Sequence, residues 1–492
     1  MKSTNFPHFQ RRWKIGATAI SLLLLLVFLV SLFVRRFNGD EGIIGEWAYW
    51  LANISEARSM LYYSYFGEKA LSLPIYHKFY TILLAGIIKL FGFEPFFLRL
   101  ISLISFVGVI WLSKVYLKQT QLASFSLPIL IGIYLAQSLW FNFAFVARPE
   151  LLMAFFALAV FVLLRQFSTS KHWKWALIAG LVSGLSFYTH LNGLAIIAAG
   201  GLFLLFRFRW KAVLAYGISA FLVASLFVLD IPGNYMGLLY ELSQSPDVEN
   251  SSFSAVRLFM KILTEHQRFF HNAGLAVFSL TTLVSLVFTW KQQRKQNADL
   301  FIFTGLLVLS LSLLTHGKTP KYLLFYMPFM ALIILYALKS LFETQSRNKI
   351  LIISLFLLVG AGISIVDYVK EYPYFVDVKT RNQAMAEKME TGKTVLAHNG
   401  FVFDQLEKFE IRSPIIFFFT HEGFSENAQE DRLEYLTFAH EKGYDYVAID
   451  RILERKEIRD FIDYQQLKTG DTLAGFALEY KDPDFLIFKR MN

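Results

Sequence analysis

Several ionisable side chains stand at the ends of long apolar runs: Asp40, Glu41, Lys78, Arg148, Glu150, His190, Asp230, Lys318 and Lys321. They mix carboxylates with cations. A carboxylate can take the proton of an attacking hydroxyl, and preorganised cations can hold a phosphate while charge develops on it. Charge close to a bilayer is costly, so each such residue calls for a role and a partner. Taken singly, each also reads as an ordinary water-facing loop charge.

The elements that must position them are membrane spans. Of 492 residues, 55% are hydrophobic and 17% charged, where a soluble chain carries about a quarter charged. Apolar runs of about 17–25 residues recur through the first three quarters, the length that crosses a ~30 Å hydrocarbon core. The absence of cysteine excludes disulfides, thiolate catalysis and cysteine-ligated metal. A net charge of +10 does not indicate nucleic acid, because the Lys and Arg residues lie in short clusters between apolar runs. Such clusters set topology by the positive-inside rule.

The first run, 15–34, follows Lys2, Arg11, Arg12 and Lys14. It is too long for a signal peptide and no small-residue cleavage pattern follows it, so it reads as a span with the N-terminus inside. Further spans read at 98–116, 122–143, 151–167, 173–188, 194–208, 212–228, 273–290, 300–314, 322–338 and 350–366. The stretch 79–93 is ambiguous, being short and carrying Lys89. Parity places it as an interfacial or re-entrant helix. Only then do Lys114/Lys118, Arg165/Lys171/Lys174, Arg207/Arg209/Lys211, Lys291/Arg294/Lys295 and Lys339/Arg347/Lys349 share the side of the basic N-terminus. About eleven spans result, with outer loops at 35–96 and 230–272. The first of these loops is rich in aromatics suited to the headgroup layer.

From residue 368 to 492 the composition is that of a soluble domain. Strands read at 394–398, 414–419, 444–449, 475–480 and 484–489, with helices at 403–409, 430–442 and 452–464. The expected architecture is an α-helical polytopic membrane protein with a C-terminal extracytoplasmic α/β domain. The division expected is 1–367 and 368–492.

The pair Asp40-Glu41 directly after the first span, heading a long aromatic outer loop, resembles the C-type glycosyltransferase superfamily. The likeness is to its protein O-mannosyltransferase and aminoarabinose transferase members. Ala147-Arg148-Pro149-Glu150 resembles the family's second acidic site. Leu90-Phe91-Gly92-Phe93 followed by Arg99-Leu100 matches the passage into the second span. Lys318-Thr319-Pro320-Lys321-Tyr322-Leu323-Leu324 is similar to the family's basic-Tyr-Leu-Leu segment. Two places depart from the pattern: no prolines follow Lys78, and His190 stands where the family often has lysine.

The resemblance implies an inverting glycosyltransferase fed by a polyprenyl-phosphate sugar at the outer face, with a glycan, lipid or protein as acceptor. It places the catalytic carboxylate on Asp40. Glu41 is expected to bind acceptor or cap a helix. Glu150 is expected to orient the acceptor or to share a divalent cation (Mg²⁺ or Mn²⁺) with Asp40. Arg148, Lys321 and Tyr322, then Lys78, His190 and Lys318, are the candidates for holding the donor phosphate. The segment Glu265-His266-x-Arg268-x-x-His271 has a histidine spacing that leaves one helical face, and so does not read as a metal site. A transporter or flippase of lipid-linked sugars, and a non-catalytic membrane-anchored binding protein, are the alternatives. The expected location is a bacterial inner membrane, N-terminus cytoplasmic.

Overall fold

A computed structural model describes residues 6–56, 58–72, 75–120, 127–207, 209–229, 255–315, 318–420, 428–454, 458 and 466–491. Asp230 and most of the outer loop 230–272, and most of the expected helix 452–464, lie outside the described residues.

The helices are α1 (Phe6–Ser31), α2 (Gly39–Ile54), α3 (Lys78–Phe91), α4 (Leu100–Gln119), α5 (Leu127–Leu135), α6 (Ser138–Phe143) and α7 (Glu150–Ser170). They continue as α8 (Lys174–Thr189), α9 (Leu194–Phe206), α10 (Trp210–Ala224), α11 (Ala255–Leu263), α12 (Ala273–Gln296), α13 (Ala298–Leu314), α14 (Met327–Glu343) and α15 (Arg347–Glu371). Among the described residues, six helical segments are long and apolar enough to cross a membrane, and this is an integral membrane protein. The run 122–143 is not one continuous helix. It breaks between α5 and α6, where the Gln137 side chain caps α6 by accepting from the Trp140 amide at 2.8 Å. A glutamine that competes for backbone donors is the physical reason for the break.

The centre of the bundle is α7 and α14, whose side chains are buried almost all round. Small residues allow the closest crossing: a Cβ on Gly180 would lie 2.3 Å from the Tyr216 carbonyl, and one on Gly184 2.5 Å from that of Ala220. Helices α8 and α10 therefore meet backbone to backbone, as small residues permit in membranes.

The C-terminal part is built on one six-stranded sheet: β1 (Thr394–Ala397), β2 (Glu410–Arg412), β3 (Tyr446–Asp450), β4 (Thr472–Leu473), β5 (Phe476–Lys481) and β6 (Phe485–Arg490). The order is β2-β1-β3-β6-β5-β4. β1 pairs in parallel with both β2 and β3, and the remaining pairings are antiparallel. β3 is buried at every residue, as a strand covered on both faces must be. Helix Ala428–Glu441 matches the expected 430–442.

Two expectations are corrected here. The stretch 414–419 is a helix, Ile415–Thr420, and the strand precedes it as β2. Pro414 cannot donate to a ladder and its fixed φ suits a first helical turn. The stretch 403–409 is a succession of turns rather than a helix, because Asp404 takes φ +63°. The left-handed region interrupts a right-handed helix.

The sheet domain rests on the segment after α1. The Ser413 amide donates to the Leu61 carbonyl at 3.0 Å, and Phe403 packs on Phe37 and Phe93. Lys379 reaches both Glu94 and Asp404.

Candidate active site

Helix α2 opens with a reciprocal cap. The Asn38 side chain accepts from the Asp40 amide at 3.0 Å, and Glu41 Oε2 accepts from the Asn38 amide at 3.0 Å. Adjacent helical residues diverge by about 100°, so Asp40 and Glu41 face different surroundings. Glu41 turns inward and is buried. Arg99 grips it with two bonds of 2.7 Å, and the Ala147 amide donates at 2.8 Å. With the Asn38 bond its acceptor capacity is filled, and it ties α2 to the start of α4 and to the turn before α7.

Asp40 is left outside this knot, its side chain 42% exposed, in an ion pair with Arg148. Arg148 comes from the turn before α7 and is itself buried. Its other edge is taken by Glu150, with Nη2 to Oε1 at 2.7 Å and Nε to Oε2 at 3.1 Å. Lys321 approaches Glu150 from the 3₁₀ turn Pro320–Phe325, with Nζ to Oε1 at 3.8 Å. One buried carboxylate thus holds two cations, and one of those cations also holds the exposed carboxylate. Burial opposes the charge on Arg148, but Glu150 outweighs it and the Arg148 pKa stays above its ordinary value. Burial, and then Arg148, draw the Lys321 pKa down.

Tyr322 adjoins the cluster, with Lys321 Nζ 5.9 Å and Arg268 5.5 Å from its ring centre. His190 meets the edge of Tyr322 at 5.8 Å and stacks on His77 at 4.7 Å. Its Nδ1 accepts from the Asn192 amide at 2.9 Å, which leaves the proton on Nε2. Desolvation pushes the His190 pKa down to about 4, with Glu150 opposing and Lys321 assisting. At neutral pH it is a neutral N–H donor, not a cation.

The structure draws two candidates elsewhere. Lys78 is buried and donates to the Phe227 carbonyl at 2.8 Å. Lys318 pairs with Glu265 at 2.8 Å and donates to the Lys261 carbonyl at 2.8 Å. The same Glu265 accepts from Tyr326 at 3.0 Å and lies 3.3 Å from Arg268. This second network, beyond Tyr322, was not read from the sequence. Its only local signal is the i,i+3 spacing of Glu265 and Arg268; its links to Lys318 and Tyr326 span more than fifty residues. Arg99 as the partner of Glu41 was likewise missed.

Among the described residues no three Asp, Glu or His side chains converge to hold a metal ion. Between Asp40 and Glu150, for which a shared divalent cation was one of two expectations, stands the Arg148 guanidinium. That donor set, with a cation already between the two carboxylates, does not fit the ion.

Fold and site together define a class: a polytopic membrane protein with a charged cluster at one end of its helical bundle, beneath a small mixed sheet. Solved structures share this fold. ArnT from Cupriavidus metallidurans in the apo state matches with TM-score 0.58 at 11% identity, covering 97% of this chain and 98% of that one. The same protein bound to undecaprenyl phosphate matches with TM-score 0.56 at 10% identity, covering 97% of each chain. No protein-family profile and no curated sequence matches. At these identities the shared property is the fold, which is ArnT-like.

Proposed function

We propose that the protein is a membrane glycosyltransferase that moves a hexosyl or pentosyl group from a polyprenyl-phosphate donor to an acceptor hydroxyl at the outer face. The observation that carries the reading is the sharing of Arg148 between exposed Asp40 and buried Glu150, with Lys321 alongside. The full-length likeness to ArnT, one structure of which is bound to undecaprenyl phosphate, supports a polyprenyl-phosphate partner. The charge clusters support a cytoplasmic N-terminus, about eleven spans and an extracytoplasmic sheet domain.

In this reading the donor phosphate docks on Arg148 and Lys321, with Tyr322 and the His190 N–H beside them. Arg148 Nη1 then turns from Asp40 to the phosphate, because a charge-assisted contact with an anionic phosphodiester oxygen competes with the carboxylate for that N–H. Asp40, released from its ion pair, becomes a better base and accepts the proton of the acceptor hydroxyl. The hydroxyl oxygen attacks the anomeric carbon from the face opposite the phosphate, the C–O bond to phosphate breaks, and the configuration inverts. Glu150 keeps both cations in place through the cycle.

The test is transfer from a radiolabelled polyprenyl-phosphate sugar in membranes carrying wild type or Asp40→Asn. Transfer by wild type and loss in the inserted, folded variant is expected. Equal transfer by both removes Asp40 from the chemistry. No transfer by either across several donors favours the transporter or binding-protein alternatives.

A further inference from the structure

A second polar cavity, of about 350 Å³, opens where α1 ends and α2 begins. Its wall includes Arg35, Arg36, Asn38, Asn142, Tyr368 and Glu371. Arg148, Glu150, Lys321 and Tyr322 do not line it; Gly39 and Phe143 do, so it adjoins the cluster described above without containing it.

The charges around it do not cancel. Arg36 pairs with Glu371 at 2.9 Å, and Arg99 pairs with Glu41. Arg35 is left over. It is 7% exposed, yet no carboxylate among the described residues lies within 4.0 Å of it. Its Nη2 donates to the Phe141 carbonyl at 3.0 Å and its Nη1 makes a long bond of 3.4 Å to Asn142, while its Nε has no partner among the described residues. The rings of Phe28, Phe141 and Tyr368 pack around the guanidinium at 5.0–6.0 Å. Aromatic faces soften the cost of burying a cation but do not neutralise it. Burial, with Arg99 adding to it, pulls the Arg35 pKa below its ordinary value, the mark of a cation short of a counter-ion.

We propose that this cavity is a binding site for a phosphate group, with Arg35 as the buried counter-charge and the Asn38 and Asn142 amides as flanking donors. Guanidinium is the group best shaped for a phosphate oxygen pair. The cavity lies just past the end of α1 and the last turn of α15, the level at which a span meets the headgroup layer. A phospholipid headgroup therefore reaches it directly from the bilayer. The site does not depend on the transfer reaction and is measured without it.

The experiment uses the purified full chain and two probes, phosphatidylglycerol and inorganic phosphate, with binding read by native mass spectrometry and by the shift in unfolding temperature. Wild type is expected to bind phosphatidylglycerol, and Arg35→Gln to bind at least about tenfold more weakly, as loss of a charge-assisted pair implies. Asn142→Asp is the second variant. It sets a carboxylate beside Arg35 and is expected to fold well and lose the lipid-dependent shift, so it decides the matter if Arg35→Gln is unstable. Inorganic phosphate reproducing the wild-type shift, and losing it in both variants, identifies a free phosphate as the occupant and upholds the site. Identical binding by wild type and both variants overturns it.

Discussion

Two neighbouring acids at the head of α2 do different work, and the difference is decided by donors. Asp40 is half in solvent and has one competitor, Arg148. Replacement by Asn removes the base and also frees Arg148 for phosphate. The expected result is a fall in kcat of about 10²–10⁴-fold with no rise in donor KM, measured by steady-state transfer. A higher KM with unchanged kcat would assign Asp40 to donor binding instead. Glu41 is saturated by Arg99, Ala147 and Asn38. Glu41→Gln leaves Arg99 buried without its counter-ion and is expected to cost roughly 3–5 kcal/mol of stability. Chemical unfolding in detergent checks this, and transfer per folded molecule should change far less than it does for Asp40→Asn.

At the scale of elements, the contact between α2 and the sheet domain places Asp40. A Cβ on Gly42 would lie 2.1 Å from the Asn399 carbonyl, a backbone atom that cannot step aside. Gly42→Ala is expected to lift the sheet domain off α2 and to speed limited proteolysis between residues 372 and 394, while Gly86→Ala, which meets nothing within 4 Å, leaves the digest unchanged. The same helix holds the following loop through Glu46, which accepts from Trp50, Ser59 and the Met60 and Leu61 amides. Burial raises the Glu46 pKa to about 7 in spite of those donors. A carboxyl raised in the fold binds more protons folded than unfolded between about pH 4.5 and 7. This group's contribution to stability is therefore complete below about pH 4.5 and is lost as pH rises to 7. Glu46→Gln should flatten that part of the stability profile, and an unchanged profile would assign the slope to other groups. These contacts also show what was readable from sequence. The acid pair, the Arg148 turn and the Lys321 segment are local patterns beside apolar runs and could be found. The Arg99–Glu41 and Glu265–Lys318 pairs join residues far apart in sequence, so no spacing announces them. The break at Gln137 and the helix after Pro414 were hidden for another reason: short apolar runs look alike as strand, helix or span.

At the scale of the molecule, the charged ends of the bundle separate. Asp40, Arg148 and Lys321 lie at one end, while Arg165 and Arg207 gather around Asp299 at the other ends of α7, α9 and α13. The parity of crossings turns on helix α3. Its 14 residues span only about 21 Å at 1.5 Å each, short of a ~30 Å core. It packs mainly along α2, with Phe79 also against Phe156 of α7 and Tyr188 of α8, and its buried residues include Lys78 and Tyr80. With α3 not crossing, the positive-inside rule predicts the sheet domain outside and the α7–α8 turn inside. The chain's lack of cysteine makes this directly measurable. A single cysteine in place of exposed Glu441 should react with an impermeant maleimide added to intact cells, and one in place of exposed His172 should react only after permeabilisation. The reverse pattern would mean that the whole bundle is inverted, because a crossing α3 would put Asp40 and the Arg148–Lys321 cluster on opposite faces of the membrane, which their direct ion pair forbids. Labelling at both sites in intact cells would instead show a mixed orientation and set the positive-inside rule aside for this chain.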